Sequence, residues 1–248
     1  MEKFIKSLST IITAIIFYVL ASFIYLSSKG FVFENGTFVF VKEANAATDT
    51  KAVDTTDNKN SLAQKISSDI ALNFNDEKAH GDANAPITLY EFSSLGCGHC
   101  ADFHLNILPL LEQDFISQGK LRVVFVNFPL EKKSMKAAML SECLDSQKRE
   151  EFLKTAFLKQ REWMLSFKSE DILSKYAVNE NFDFEAAKKC VTDDKLAERI
   201  LADRQDAIDK LKMQGTPAFL FTSGDVREII YGVPEYEELK PYIESLLH

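Results

Sequence analysis

"APITLYEFSSLGCGHCADFH", residues 85–104, sets an apolar, β-rich run directly before two cysteines that are two residues apart with a histidine between them. Residues 85–92 read as a strand. From Cys97 onward the apolar positions Cys100, Phe103, Ile107, Leu110 and Leu111 fall at helical spacing as far as residue 117. A strand that runs straight into a helix puts Cys97 at the helix start, where unpaired backbone N–H groups and the helix dipole favour a thiolate. His99 can add positive charge or a hydrogen bond there. Cys100, one turn on, lies on the apolar stripe and is expected to be buried. One accessible thiolate beside one hidden thiol is the geometry of thiol–disulfide exchange.

Two other readings of the pair are weaker. A structural zinc site wants four ligands, whereas Cys143 and Cys190 form no second C-x-x-C and His80, His104 and His248 are scattered. A structural staple across one helical turn closes too short a loop to constrain the unfolded chain much. No metal site and no organic cofactor are therefore expected.

Working outward, "LRVVFVNFPL", residues 121–130, is a second strand, and strand–helix–strand order implies a parallel pair joined by a right-handed crossover. Pro109 should kink the intervening helix. Residues 131–212 read as almost wholly helical, with Ser169 as the cap of "SEDILSKYA". "PAFLFT" and "VREIIYG", separated by Ser223-Gly224-Asp225, form an antiparallel hairpin, and "EYEELKPYIESLL" closes the chain as a helix that Pro241 should bend or delay. Glu91 lies inside the first strand, which as a central strand is buried on both faces. A carboxylate there can exchange a proton with the resolving thiol, unless it simply reaches solvent at the strand end. Spacing alone makes Pro217 a strand start and nothing more. Cys143 and Cys190, on two different helices, are expected to form a structural disulfide; a regulatory bond that tunes the active site is the alternative.

The chain of 248 residues is 46% hydrophobic and 27% charged, ordinary for a protein with a packed core. Its net charge of −8 and lack of a basic block argue against a nucleic-acid partner. Lys3 and Lys6 precede the uncharged run "IITAIIFYVLASFIYL", residues 11–26, which reads as an export signal or a membrane anchor. Ala44-Asn45-Ala46 offers a signal-peptidase site, but its distance from the apolar run favours an uncleaved anchor. Either way the chain beyond residue 30 faces outward, which in a bacterium is the periplasm. The expected organisation is a signal or anchor at 1–30, a linker and candidate self-association segment at 31–79, fold segments at 80–130 and 213–248, and a helical insertion at 131–212. Within 31–79 a hairpin turns at Asn35-Gly36, and "SLAQKISSDIALNF", residues 61–74, has the pattern of a short amphipathic helix.

"GDANAPITLYEFSSLGCGHCADFH" together with "GTPAFLF" resembles the DsbA-like thioredoxin-fold oxidoreductases over about residues 80–248. The helical block between them is similar to that family's inserted domain. The resemblance implies an α/β thioredoxin fold, a central mixed sheet with an inserted helical subdomain. It also implies site roles: Cys97 as nucleophile, Cys100 as resolving thiol, His99 as thiolate stabiliser, Glu91 as buried acid, Pro217 as a cis-proline and Thr216 as a contact to the substrate backbone. Substrates would be unfolded or thiol-containing exported proteins, with a quinone-linked membrane thiol oxidase as reoxidant and, as in related isomerases, self-association through residues 31–79. Two departures point to a milder oxidant: the dipeptide Gly98-His99, as in protein disulfide isomerase, and Thr216 before the proline, as in the isomerase branch. The reference potentials of about −120 mV for DsbA and about −180 mV for protein disulfide isomerase differ by roughly 3 kcal/mol of oxidising drive. A Cu(I) metallochaperone using Cys97, His99 and Cys100 is the alternative function.

Overall fold

A central strand buried on both faces organises the domain: β4 (Ile87–Ser93) has every residue buried except the half-buried Tyr90. The computed structural model describes residues 31–34, 37–40, 62–67, 69–71 and 73–248. The expected anchor at residues 11–26 and the cleavage site after Ala46 lie outside the described residues. Among the described residues no helix is long and apolar enough to cross a membrane. The chain divides into two units, Met1–Asp57 and Asn58–His248. In the first, β1 (Phe31–Glu34) and β2 (Thr37–Phe40) pair antiparallel with Phe31 opposite Phe40, as expected there; the turn at Asn35-Gly36 lies outside the described residues.

The second unit holds a five-stranded mixed sheet in the order β3-β7-β6-β4-β5, from β3 (Gln64–Lys65), β4, β5 (Leu121–Asn127), β6 (Ala218–Ser223) and β7 (Val226–Tyr231). Only β4 and β5 are parallel, with Glu91 opposite Phe125; the other pairs are antiparallel. The crossover between β4 and β5 is one helical rod built of α1 (Gly98–Asp102), a π turn at Phe103–Ile107, α2 (Leu108–Leu111) and a second π turn at Glu112–Ile116. The first π turn ends with the Leu108 N–H on the Phe103 carbonyl, just before Pro109, which has no N–H to place. The wider turn rotates the apolar stripe: Phe103, Leu111, Phe115 and Ile116 are buried, while Leu110, expected on the stripe, is 39% exposed.

The insertion comprises α3 (Lys132–Cys143), α4 (Ser146–Leu158), α5 (Gln160–Leu165), α6 (Ser169–Ala177), α7 (Phe184–Cys190) and α8 (Asp194–Leu211). Lys159 separates α4 from α5. Ser169 is not the cap expected: Lys168 holds that position, and the Ser169 hydroxyl is buried without a partner. Side-chain caps come instead from Glu131, in a capping box with Ser134, and from Asp145, Asp183 and Asp193. Helix α9 (Tyr236–Ser245) forms through Pro241 without the expected delay. Cys143 and Cys190 are joined, tying the end of α3 to the end of α7.

The described residues between 62 and 79 depart most from expectation. In place of an amphipathic helix in a linker, Gln64 and Lys65 pair with Ile229 and Glu228 on β7, Phe74 packs edge-on against Phe92 at 5.0 Å, and His80 forms a bridge with Val123 on β5. The segment thus reaches both outer strands of the sheet, giving backbone partners to groups that an open edge would leave unpaired. Ile66, Phe74 and Ala79 join the core cluster of Val124, Phe128 and Leu220, while Leu62 and Ala63 pack into the cluster of Phe103 and Phe219, so they do not form one helical stripe. The domain therefore extends upstream of residue 80. At the far end His80 is held by Glu112 of the crossover and by Glu150 of α4, the latter at 2.5 Å.

Burial disfavours charge on His80, but its bonds to Glu112 and Glu150 outweigh that and raise its pKa above the ordinary histidine value. A raised folded-state pKa contributes stability that is present below the unfolded pKa and lost as pH rises through the folded one. His80→Gln should therefore lower the melting temperature more at about pH 6 than at about pH 9, as thermal denaturation at the two pH values will show. Replacing both Cys143 and Cys190 by serine removes a cross-link of 47 residues and should cost about 4 kcal/mol in chemical denaturation.

Candidate active site

The chain leaves β4 at Ser93, turns at Ser94–Gly96 and enters α1 with Cys97 as the N-cap in extended backbone conformation. The capping position aims the N–H groups of the first turn at the Cys97 sulfur. Cys97 is half-buried, Cys100 is fully buried, and both thiols are free. The Cys97 thiol lies 3.5 Å from the Thr216 carbonyl, which accepts its hydrogen bond. A hydrogen bond from the Cys100 thiol is the largest influence on Cys97. Burial opposes it, while the Thr216 side chain and the backbone N–H groups of Cys100 and His99 reinforce it, and the Cys97 pKa falls to about 5. Burial, followed by the hydrogen bond to Cys97, pushes the Cys100 thiol far up. At neutral pH the site therefore holds one thiolate and one thiol. The buried Thr216 hydroxyl has no partner while Cys97 is a neutral thiol, and a thiolate supplies the acceptor it lacks.

His99 lies at the exposed side of the site. Its side chain is 80% exposed, with Nδ1 3.8 Å from the Asp102 carboxylate. It projects from the first turn into solvent and toward Asp102 at i+3, and its backbone N–H is a hydrogen-bond donor to Cys97. The copper reading, which needs this ring beside two sulfurs, gains no support. Among the described residues no group of three or more His, Cys, Asp or Glu is arranged to hold a metal ion.

Glu91 does not reach solvent at a strand end. It is fully buried, and neither carboxylate oxygen has a hydrogen-bond partner. His104 Nδ1, also buried and unbonded, lies 4.0 Å from it, and the His104 ring packs on Phe157 at 4.8 Å. Sequence reading grouped His104 with scattered histidines, although its position four residues after Cys100 places both on one helix face. Gln160 was also missed. From the start of α5 it donates to the carbonyls of Leu95 and Cys97 at 2.8 and 3.0 Å, so the insertion grips the active-site turn. Gly96 lies close against the insertion there: a Cβ would meet Glu131 Oε1 at 2.6 Å and the Met164 sulfur at 3.3 Å, so those two side chains would have to shift. No local signal marks Gln160, which lies 63 residues from Cys97.

The Thr216–Pro217 peptide is cis and precedes β6 beside the cysteines. It borders a groove of about 480 Å³ lined also by Gln64, Lys212, Gln214 and Tyr231. Residues 74–245 match the family model described as thioredoxin. The crystal structure of alpha-DsbA1 from Wolbachia pipientis superposes with a TM-score of 0.63 and 31% sequence identity, covering 71% of this chain and 93% of that one. The chain belongs to the DsbA-like thiol:disulfide oxidoreductases of the thioredoxin family. "Disulfide bond formation protein D" of Bacillus subtilis is 28% identical over 181 residues, 67% of this chain and 75% of that protein. A Rickettsia bellii relative named "Putative protein-disulfide oxidoreductase" is 30% identical over 145 residues, 58% of this chain, and the match spans 56% of its own length. The family match begins at Phe74, within the segment that crosses the sheet.

In this DsbA-like site the Thr216 hydroxyl is a donor to the thiolate, so Thr216→Val should raise the Cys97 pKa above about 5. A pH titration of thiolate ultraviolet absorbance, or of alkylation rate, measures the shift; an unchanged inflection would remove the hydroxyl from the account.

Proposed function

We propose that this protein is exported and moves disulfide bonds into, or between, exported protein chains through Cys97-Gly98-His99-Cys100. The observation that carries the reading is the asymmetry of the pair: an accessible Cys97 with its pKa lowered to about 5 beside a buried Cys100 whose thiol is pushed far up. In the oxidising direction a substrate thiolate attacks Cys97 Sγ of the Cys97–Cys100 disulfide. The Cys97–Cys100 bond breaks, a mixed disulfide forms at Cys97, and the Cys100 thiolate leaves and takes a proton, with Glu91 as the buried acid nearest in role. A second substrate thiolate then attacks the substrate sulfur, its disulfide forms, and Cys97 departs as a thiolate. Two electrons pass from the substrate dithiol to the pair. Isomerisation begins instead with reduced Cys97 attacking a wrong disulfide.

The groove beside Thr216 and Pro217 suits an extended, unfolded segment, with Thr216 contacting its backbone. The Cys97 pKa of about 5 lies between the reference values of about 3.5 for DsbA and about 7 for thioredoxin, which supports a milder oxidant. Reoxidation by a quinone-linked membrane thiol oxidase, tethering by residues 11–26 and self-association through residues 31–79 complete the proposal. Equilibrium titration of Cys97–Cys100 against glutathione tests it. A potential near about −120 mV marks an oxidase and one near about −180 mV an isomerase. Cys97→Ala should abolish disulfide transfer, and Cys100→Ala, which has no disulfide to give, should form a mixed disulfide at Cys97 when presented with a disulfide-bonded substrate, visible as a covalent adduct on non-reducing gels; oxidation of a substrate dithiol by either variant would sink the mechanism.

A further inference from the structure

Thiol exchange at this site needs a proton at Cys100, the sulfur that solvent does not reach, and the proposal here rests on that exchange reaction. We propose that His104 is the positioning partner of Glu91, that the two share the proton exchanged with Cys100, and that the cavity beside them passes it to and from solvent.

Three observations carry this. First, Glu91 and His104 are buried titratable groups whose facing polar atoms, both carboxylate oxygens and Nδ1, have no hydrogen-bond partner although they are 4.0 Å apart. An unpaired charge or polar group costs several kcal/mol in an apolar interior, so a pair left in this state is matched to each other or to water. Second, the pair lies beneath the cysteines. Glu91 and Ser93 alternate onto the same face of β4, roughly 7 Å apart by strand geometry, and the Ser93 side chain is a hydrogen-bond partner of the Cys100 thiol. The buried Ser93 hydroxyl has no other partner. Third, Glu91 and His104 line a cavity of about 360 Å³, room for several waters, between the crossover rod, β5 and α4. His104 keeps 10% exposure, whereas the Glu91 side chain keeps 1%, so the ring is the member of the pair nearer solvent.

The step balances. When substrate attacks Cys97, the bond between Cys97 and Cys100 breaks and Cys100 departs as a thiolate. The shared proton of the Glu91–His104 pair moves to the Cys100 sulfur, and the pair is reprotonated by water from the cavity. In the reverse direction the Cys100 thiol gives its proton to the pair before its sulfur attacks Cys97. The other charged groups around the pair are Arg149, Glu150 and Lys154 from α4, Glu112 from the crossover rod, and Lys78 and His80 from the segment before β4. Arg149 is held by Glu142 and by the Phe125 carbonyl, its Nε is unbonded and its fixed charge interacts with Glu91, and His80 is held by Glu112 and Glu150, which leaves His104 as the unbonded group facing Glu91 that can both take and give a proton.

The experiment uses the full chain with His104→Gln, which keeps a polar side chain of similar reach, and His104→Ala, which opens room for added imidazole. Measured are the Cys97–Cys100 potential, the Cys97 thiolate titration, and the rate of disulfide transfer to a thiol peptide across pH. Expected are an unchanged potential and thiolate titration, a transfer rate at least about ten-fold lower with a displaced pH profile, and restoration of the His104→Ala rate by imidazole. Glu91→Gln combined with His104→Gln should be no slower than the slower single variant. A wild-type pH profile in both His104 variants, additive losses in the double variant, or a slower rate that imidazole does not restore would each overturn the proposal. Failure of the wild-type chain to transfer disulfides would instead overturn the proposed function.

Discussion

A negative sulfur held at the first turn of a helix is the constraint on which the rest of this structure depends. The thiolate is stable because N–H groups of α1 converge on Cys97 and because the Cys100 thiol and the Thr216 hydroxyl lie within hydrogen-bonding reach of it. Those donors come from two places: the first turn of the helix, which supplies backbone N–H groups and the buried Cys100 thiol, and the loop before β6. The order β7-β6-β4-β5 is what sets the Thr216–Pro217 loop beside Cys97, because β6 pairs antiparallel with β4 and starts at the end where β4 stops.

The same constraint accounts for how the insertion packs. A strand that turns at once into a helix leaves the Leu95 carbonyl of the turn outside the helical ladder, and Gln160 of α5 meets it while adding a second bond to the Cys97 carbonyl, which already accepts from the Ala101 N–H. Glu131 and Met164 close on Gly96 from the same side. The insertion has its own core around Trp163, Phe152 and Phe157, and that core continues into Leu95, Cys100 and Phe125 of the thioredoxin fold. The helical block therefore seals Cys100 from water, and that burial is the main reason the thiol stays protonated.

Burial also creates the chemical difficulty that Glu91 and His104 address. A sulfur sealed from water cannot exchange its proton with solvent directly, so the proton must travel through groups that are themselves buried. Glu91 was legible because a charged residue inside an apolar strand is anomalous wherever it occurs. His104 was not, because one histidine on a helix carries no sign of whether it faces a carboxylate on a neighbouring strand.

From the amino-acid sequence alone one can read the C-x-x-C pair at a strand-to-helix junction, the order of strands and helices, the hairpin before the last helix and a pairing of Cys143 with Cys190. These follow from periodicity, spacing and turn residues, which act over a few positions of chain, or from simple counting of cysteines. Tertiary structure alone decided that Gln64 and Lys65 add to β7 and that His80 bridges to β5, and that π turns rotate Leu110 outward. It decided too that His99 turns toward Asp102 and that Gln160 reaches the active-site turn. Each depends on free backbone groups, packing space or charges supplied by residues distant in sequence, and no local pattern encodes those.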